Sequence, residues 1–168
     1  MKTIGAALAA LALVGLPGTS QAQEADFLQS LNGNFSGGGT VKVKTSSSPI
    51  TVRCTFTSSS TASSLSLDGR CRGAVVVSRA ISADLKANGS RYSGTYVGAG
   101  SGPAGLSGSR KGNAINLGVR WARDVNGDRR ANLTVEKVGE NRLRLTTTDK
   151  DPKTGRNVVT SQIDLRRS

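Results

Sequence analysis

The sequence contains no histidine and only two cysteines, so two common sources of reactive chemistry are scarce. Histidine is the most frequent general base in enzymes and the commonest side-chain ligand for metals. No GxSxG motif supplies an activated nucleophile in its place. We therefore expect a protein that is not an enzyme, has no catalytic residues and holds no metal or other cofactor.

Aromatic residues are also few, at 4% of the chain, so a core of small aliphatic residues and glycine is expected. The six aromatic residues are Phe27, Phe35, Phe56, Tyr92, Tyr96 and Trp121. Binding of single-stranded nucleic acid needs exposed aromatic side chains beside basic ones, on which bases can stack. The tyrosines and the tryptophan fall instead on the inward phase of the pattern described below. No specific nucleic-acid partner is expected.

No apolar run reaches the roughly 20 residues that a membrane-spanning helix needs, so the chain is not expected to be transmembrane. The longest run, from Ile4 to about Leu16, follows Lys2 and precedes Ser20-Gln21-Ala22. That order of charged, apolar and small residues is typical of a secretory signal peptide. We predict that residues 1–22 are removed after Ala22. The product, residues 23–168, would be a single domain that is periplasmic or secreted.

The two cysteines, Cys54 and Cys71, are expected to form one disulfide in an exported chain. On the chain-entropy model, closing a loop of this size contributes about 3 kcal/mol. Their spacing does not match CxxC, and the absence of histidine argues against a metal pair.

Period-two alternation dominates the chain after a short N-terminal segment of helical spacing. The segment carries Phe27, Leu28 and Leu31, and Gly33 is a natural stop for a helix between Glu24 and Asn32. Beyond it, apolar and polar residues alternate through nine or ten short stretches separated by turn residues. In two of them, placing Cys54 opposite Cys71 also pairs Phe56 with Gly69, Ser58 with Leu67 and Ser60 with Leu65.

Tight turns predict that neighbouring strands are antiparallel. Asn88-Gly89 is a strong two-residue hairpin turn, which would set Leu85 against Tyr92 and Ile81 against Tyr96. Lys111-Gly112 would likewise set Leu106 against Leu117. Further turns are predicted at VNGD, VGEN and DPKTG. The predicted fold is all-β: an antiparallel meander of 8–10 strands closed into a barrel, with one short N-terminal helix.

Two motifs resemble ligand sites and fail on neighbouring residues. The stretch LNGNFSGGGTVKV has glycines at 33, 37, 38 and 39, but it lacks the lysine of a P-loop and the helix of a Rossmann turn. In DVNGDRRANLTV, Asp124, Asn126 and Asp128 match the first ligands of a calcium loop. Arg129 and Val135 stand where glycine and glutamate are required. We interpret the first stretch as a strand and the second as a hairpin turn.

Basic residues outnumber acidic ones by 23 to 11, a formal net charge of +12 that favours polyanions and anionic envelope surfaces. Most fall on the outward phase: Lys42, Lys44, Arg53, Arg70, Arg72, Arg120, Arg142 and Arg144. Arg79 shares the inward phase of Val75, Val77 and Ile81. A buried arginine needs a partner, so Arg79 is at the rim, is displaced by a register shift or bulge, or holds an anion inside the barrel.

The pattern resembles the calycin group of lipocalin-like, up-and-down barrels. Those families open with a short helix and G-x-W on the first strand, and this chain has Gly33-Asn34-Phe35 after its helical segment. They often carry a basic residue on the last strand that covers the aromatic ring, and IDLRR offers Arg166, our first choice, or Arg167. The segments NGSRYSGTY, VNGDR and DPKTG are also similar to small exported alphaproteobacterial proteins of unknown function.

The resemblance implies a small ligand that is apolar or amphipathic. The residues expected to line its site are Arg79, Tyr92, Tyr96 and Trp121, with Arg110 and Arg123 at the barrel mouth. Our leading interpretation is a non-enzymatic binding protein for a small lipophilic or anionic envelope molecule. The alternatives are a protein-interaction or protease-inhibitor-like module, since periplasmic inhibitors also use a calycin barrel with one disulfide, and an electrostatic binder of an anionic envelope polymer.

Overall fold

The protein is a closed antiparallel β-barrel in the computed structural model, which describes residues 19–73, 78–98 and 100–168. Helix α1 spans Thr19–Gln29. The strands are β1 (Gly33–Val41), β2 (Ile50–Ser60), β3 (Ser64–Gly73), β4 (Ser78–Asn88), β5 (Arg91–Val97), β6 (Ala104–Lys111), β7 (Ala114–Val125), β8 (Asp128–Val138), β9 (Arg142–Lys150) and β10 (Asn157–Arg167).

Each strand pairs with the next along the chain, and β1 pairs with β10 to close the barrel. The predicted meander and its closure are therefore confirmed. The buried side chains alternate along the strands, as the period-two pattern required. Among the ten described strands, closure leaves no free edge to pair with another chain.

The β2–β3 pairing has the predicted register. Cys54 lies opposite Cys71 and forms a disulfide with it, and Phe56 lies opposite Gly69. The Phe56 ring occupies the space that a Cβ atom at Gly69 would need. A large side chain thus packs over a bare backbone position.

The predicted registers of two other hairpins are wrong by two residues. Tyr92 lies opposite Ala87 rather than Leu85, and the turn residues are Gly89-Ser90. Positive φ occurs at Gly89 (55°) and not at Asn88, so glycine occupies the first central position of the turn. Tyr96 likewise lies opposite Ala83 instead of Ile81.

In the second hairpin, Leu106 lies opposite Val119 rather than Leu117, with the turn at Gly112-Asn113. Because side-chain orientation repeats every two residues, this error leaves the inward-facing set unchanged. Between β7 and β8, Asn126 and Gly127 both have positive φ and connect the strands as a two-residue hairpin turn. The turn interpretation of the calcium-like segment is therefore confirmed.

Helix α1 closes one end of the barrel, which we call the helix end. Leu28 and Leu31 are completely buried there. The helix was predicted between Glu24 and Asn32 but ends at Gln29, and the next residues form a tighter turn in which the Asn32 amide donates to the Gln29 carbonyl. The predicted cleavage point after residue 22 falls within α1, and residues 1–18 lie outside the described residues, so the signal peptide stays a prediction.

An arginine of the last strand ties α1 to the barrel. The Arg167 guanidinium lies 4.8 Å from the centre of the Phe35 ring. It also donates to the Ser30 carbonyl at 3.0 Å and to the Asn32 carbonyl, both just beyond the helix C-terminus. Of the two arginines considered for this contact, Arg166 is exposed on the outer face and Arg167 makes it.

The interior of the barrel is filled by side chains. The cavity among its inward-facing residues has a volume of about 30 Å³ and is lined by residues such as Phe56, Leu67 and Leu133. That volume is far below the roughly 300–1,000 Å³ of a typical ligand pocket. The described part of the barrel therefore has no internal room for a lipid.

Candidate functional site at the loop end

The six residues predicted to line one ligand site lie at opposite ends of the barrel. Tyr92 and Arg110 are at the helix end, beside α1. The other four are near the opposite end, which we call the loop end. It is the end at which β1, β3, β5, β7 and β9 finish. The residues at the loop end are Arg79, Tyr96, Trp121 and Arg123.

At the helix end, Tyr92 and Arg110 share the carboxylate of Glu24. The Tyr92 hydroxyl donates to Glu24, and Arg110 Nε donates to its two oxygens at 3.0 and 2.9 Å. Burial, followed by the bond to Glu24, raises the pKa of Tyr92. Arg110 also lies 4.6 Å from the centre of the Phe27 ring. These contacts hold the helix on the barrel.

The sequence did not reveal Glu24 as the partner. Glu24 belongs to a helix. The period-two pattern predicts which side chains of a strand face inward, but it does not predict where a helix packs against the barrel. An inward-phase arginine at a strand end was the available signal, because such a residue requires a carboxylate nearby.

At the loop end, Trp121 is buried and packs edge-to-face against Tyr96, with ring centres 5.9 Å apart. Burial raises the pKa of Tyr96. Arg79 is exposed and donates to the Gly98 carbonyl at 3.3 Å. Of the three alternatives for Arg79, the structure has the rim position. Val75 and Val77, which shared its predicted phase, lie outside the described residues.

Arg123 borders a surface depression of about 700 Å³ at the loop end. It is exposed and donates to the carbonyls of Gly100 and Ser101, each at 3.4 Å. Lys44 and Lys153 also line the depression. Three cationic side chains from three separate segments thus line one recess, together with the carboxylates of Asp124 and Asp151.

Asp151 braces the wall of this depression. Its Oδ2 accepts a hydrogen bond of 2.7 Å from the Thr45 hydroxyl, and its Oδ1 accepts bonds from the amide and the hydroxyl of Thr154. These bonds lower the pKa of Asp151 to about 2. Thr45 also donates its amide to Asn126 at 3.2 Å, which links three loops into one framework.

We expect Asp151→Asn to lower stability at pH 7 and to have progressively less effect as the pH falls towards 2. The folded state holds this carboxylate ionised, so its contribution is present above the ordinary pKa of 3.8 and is lost as the pH falls through the folded value of about 2. Urea unfolding at pH 7, 4 and 3 measures the difference. Asp124→Asn, an exposed carboxylate at the same end, is the control. A difference that is equal at all three pH values would contradict this origin.

Ser101 Oγ is buried at the loop end and has no hydrogen-bond partner among the described residues. Asp149 is also buried there, close to the side chains of Trp121 and Asn126, which are hydrogen-bond donors to it. Asp149 Oδ2 accepts a bond of 2.6 Å from Thr160, and burial raises the pKa of this carboxyl group. Unpaired buried polar atoms are uncommon in native proteins, and water or a ligand often satisfies them.

The charge of the protein is concentrated in the half of the barrel nearest the loop end. Of the 22 basic residues after residue 18, thirteen lie in this half, together with four of the eleven acidic residues. The basic set is Lys42, Lys44, Arg53, Arg70, Arg72, Arg79, Arg120, Arg123, Arg129, Arg130, Lys150, Lys153 and Arg156. The acidic set is Asp124, Asp128, Asp149 and Asp151. The helix-end half is much closer to balance.

The loop-end cations also lack acidic partners. In the described ranges, the two ion pairs are Arg110–Glu24 and Arg144–Asp164, and both lie in the helix-end half. Among the same residues, no cluster of acidic or cysteine side chains could hold a metal ion. The loop-end half therefore presents a large uncompensated positive charge.

Comparison with known proteins supports the fold. The chain matches no protein-family model, and no curated protein matches it. The crystal structure of Rv2717c from M. tuberculosis is similar, with a TM-score of 0.62 over 86% of this chain and 97% of that chain. At 14% identity, the likeness extends to the barrel fold alone. In the part of the chain described, no helix is long and apolar enough to cross a membrane.

Proposed function

We propose that this protein is an exported, non-enzymatic binding protein that holds an anionic molecule of the cell envelope at the loop end of its barrel. The observation that carries the proposal is the concentration of thirteen cations, none of them in an ion pair, in the loop-end half. Such a field attracts anions and raises their rate of association.

The filled interior favours an anionic ligand at the end of the barrel over a lipophilic ligand inside it. An internal cavity of about 30 Å³ cannot accept an acyl chain, whereas the depression between Lys44, Arg123 and Lys153 measures about 700 Å³. The cations are spread around the rim and do not converge on one point. Their spread suits a ligand with several separated negative charges, such as an envelope polymer or surface.

The disulfide is consistent with this role. A Cys54–Cys71 disulfide suits an oxidising compartment outside the cytosol.

The test is binding of fluorescein-labelled heparin, a soluble polyanion, measured by fluorescence anisotropy. We expect the combined variant Lys44→Ser, Arg123→Ser, Lys153→Ser to bind about tenfold more weakly or worse. Each basic residue near an anionic surface contributes about 1 kcal/mol, and 1.4 kcal/mol is a factor of about ten. Affinity of the unmodified protein should fall steeply as salt is added.

The matched control removes three exposed cations from the helix-end half, by Lys86→Ser, Arg91→Ser and Lys111→Ser. It has the same change in net charge, so we expect less than a threefold loss of affinity. Equal losses of affinity in the two variants would show that heparin binding depends on the net charge of the protein and not on the position of the cations. That result would overturn the assignment of the binding site to the loop end. Absence of salt-dependent binding would overturn the proposed function itself.

A further inference from the structure

The large hydrophobic side chains that are exposed in the described residues all lie near the loop end. They are Val43, Ile50, Val97 and Val159, with exposed fractions of 69, 43, 45 and 47%. Single exposed aliphatic residues are normal on a protein surface. Their confinement to the most cationic part of the molecule is the feature that needs a physical account.

Three of these four side chains come from neighbouring segments. Ile50 begins β2 opposite Val41, the last residue of β1. Just beyond, the Lys42 amide donates to the Thr160 carbonyl at 2.7 Å, which continues the β1–β10 pairing by one residue, and Val43 and Val159 are the chain neighbours of these two residues. We call Val43, Ile50 and Val159 the apolar lip. Val97, on β5, lies outside it.

Two lysines flank one residue of the lip in the chain. Lys42 and Lys44 are the chain neighbours of Val43. Lysine can keep its ammonium group in water while its methylene chain covers an apolar surface. The lip thus combines exposed aliphatic side chains with flexible positively charged ones. Binding of a soluble polyanion would require only the positive charges.

A groove on the outer face of β1, β2 and β3 runs below the lip. Its volume is about 1220 Å³, and Gly38, Thr40 and Thr51 are among the small residues that line it. Arg53 and Arg72, also in its lining, are exposed and stand directly opposite each other on β2 and β3. Like charges in that position repel each other. An anion between the guanidinium groups would remove the repulsion.

We propose that the apolar lip and this groove together dock the protein on the surface of an anionic phospholipid bilayer. The three lip side chains enter the interface between headgroups and acyl chains, and Arg53 and Arg72 bind headgroup phosphates. This inference rests on the proposed function, because it identifies the anionic partner as a membrane. Aliphatic side chains gain from insertion into a bilayer and gain nothing from a soluble polyanion, which favours the bilayer.

The test is co-sedimentation with vesicles of phosphatidylglycerol and phosphatidylcholine, beside vesicles of phosphatidylcholine alone. We expect the unmodified protein to bind the anionic vesicles and to stay in solution with the neutral ones. The lip variant Val43→Ser, Val159→Ser should bind at least tenfold more weakly. Val97→Ser, which removes a valine outside the lip that is about as exposed as Val159, should bind within threefold of the unmodified protein.

The groove has its own matched pair of variants. Arg53→Ser, Arg72→Ser should also bind at least tenfold more weakly, because it removes the two cations in the groove. Arg142→Ser, Arg166→Ser removes another directly opposed and exposed arginine pair, at the helix end, and should lose less than threefold. Circular dichroism and thermal unfolding identify any variant that does not fold, and Val43→Ser alone then replaces the double lip variant.

Heparin binding separates failure of this inference from failure of the proposed function. Val159→Ser alone, which leaves the lining of the depression intact, should keep its affinity for heparin while binding vesicles more weakly. Heparin binding without vesicle binding in the unmodified protein would overturn the membrane inference and leave the proposed function standing. Vesicle binding that the lip substitutions do not weaken would also overturn it. If the unmodified protein bound neither heparin nor anionic vesicles, both the membrane inference and the proposed function would be overturned.

Discussion

Alanine at Gly39 is expected to lower the free energy of unfolding by about 3 kcal/mol, the upper end of the usual range for overpacking. Gly39 pairs with Val52 on β2 and with Ile163 on β10. A Cβ atom there would lie well inside van der Waals contact of the Gln162 carbonyl oxygen. A backbone carbonyl in a closed ladder cannot move aside as a flexible side chain can. Relief would require β1 and β10 to separate where they close the barrel.

The control is Gly105→Ala on β6, where a new Cβ atom would meet no other atom within 4 Å. Its φ lies outside the positive region, so alanine fits without strain. We expect a change of no more than about 0.5 kcal/mol. Urea unfolding followed by circular dichroism measures both variants. Similar stabilities for the two would show that close approach of β1 and β10 does not require glycine.

Glu24→Ala is expected to destabilise the protein by about 2–3 kcal/mol and to loosen α1. Removing one member of a buried ion pair typically costs about 3–5 kcal/mol, because the other charge is left without a partner. Arg110 retains 20% side-chain exposure, so water can compensate part of the loss. The Tyr92 hydroxyl would lose its acceptor as well.

Asp26→Ala is the matched control, since Asp26 lies on the same helix and is exposed. It makes the same change in charge, and we expect a change within about 0.5 kcal/mol. Limited proteolysis distinguishes local from global effects: Glu24→Ala should speed cleavage within residues 19–32, and Asp26→Ala should not. Unchanged protection in Glu24→Ala would contradict the anchoring role of Glu24.

The Glu24→Ala substitution should leave the proposed binding site intact. The ion pair of Glu24 lies at the helix end, far from the depression and the apolar lip. A folded Glu24→Ala protein should therefore keep its affinity for heparin. The helix end stabilises the barrel, and the loop end is proposed to bind.

Some of the fold could be predicted in detail from the sequence. The β2–β3 register followed from three agreeing constraints, namely the cysteine pair, the alternation and the match of Phe56 to Gly69. The register at Tyr92 had a single constraint, the turn. Asn88-Gly89 and Gly89-Ser90 both satisfy the demand for glycine, and both leave the same residues facing inward. Without a cross-strand constraint, the sequence could not distinguish the two.

The sequence by itself determined which side chains face the core, because strand alternation is a local property of the backbone. It also determined that the glycines of LNGNFSGGGTVKV belong to a strand, since the residues around them exclude a phosphate loop. Only the tertiary structure decided which strand ends meet at one end of the barrel. That choice separated Tyr92 and Arg110 from Trp121 and brought uncompensated cations beside an apolar lip. The physical reason is that charge and exposed apolar area act through space, and distances in space depend on the whole topology.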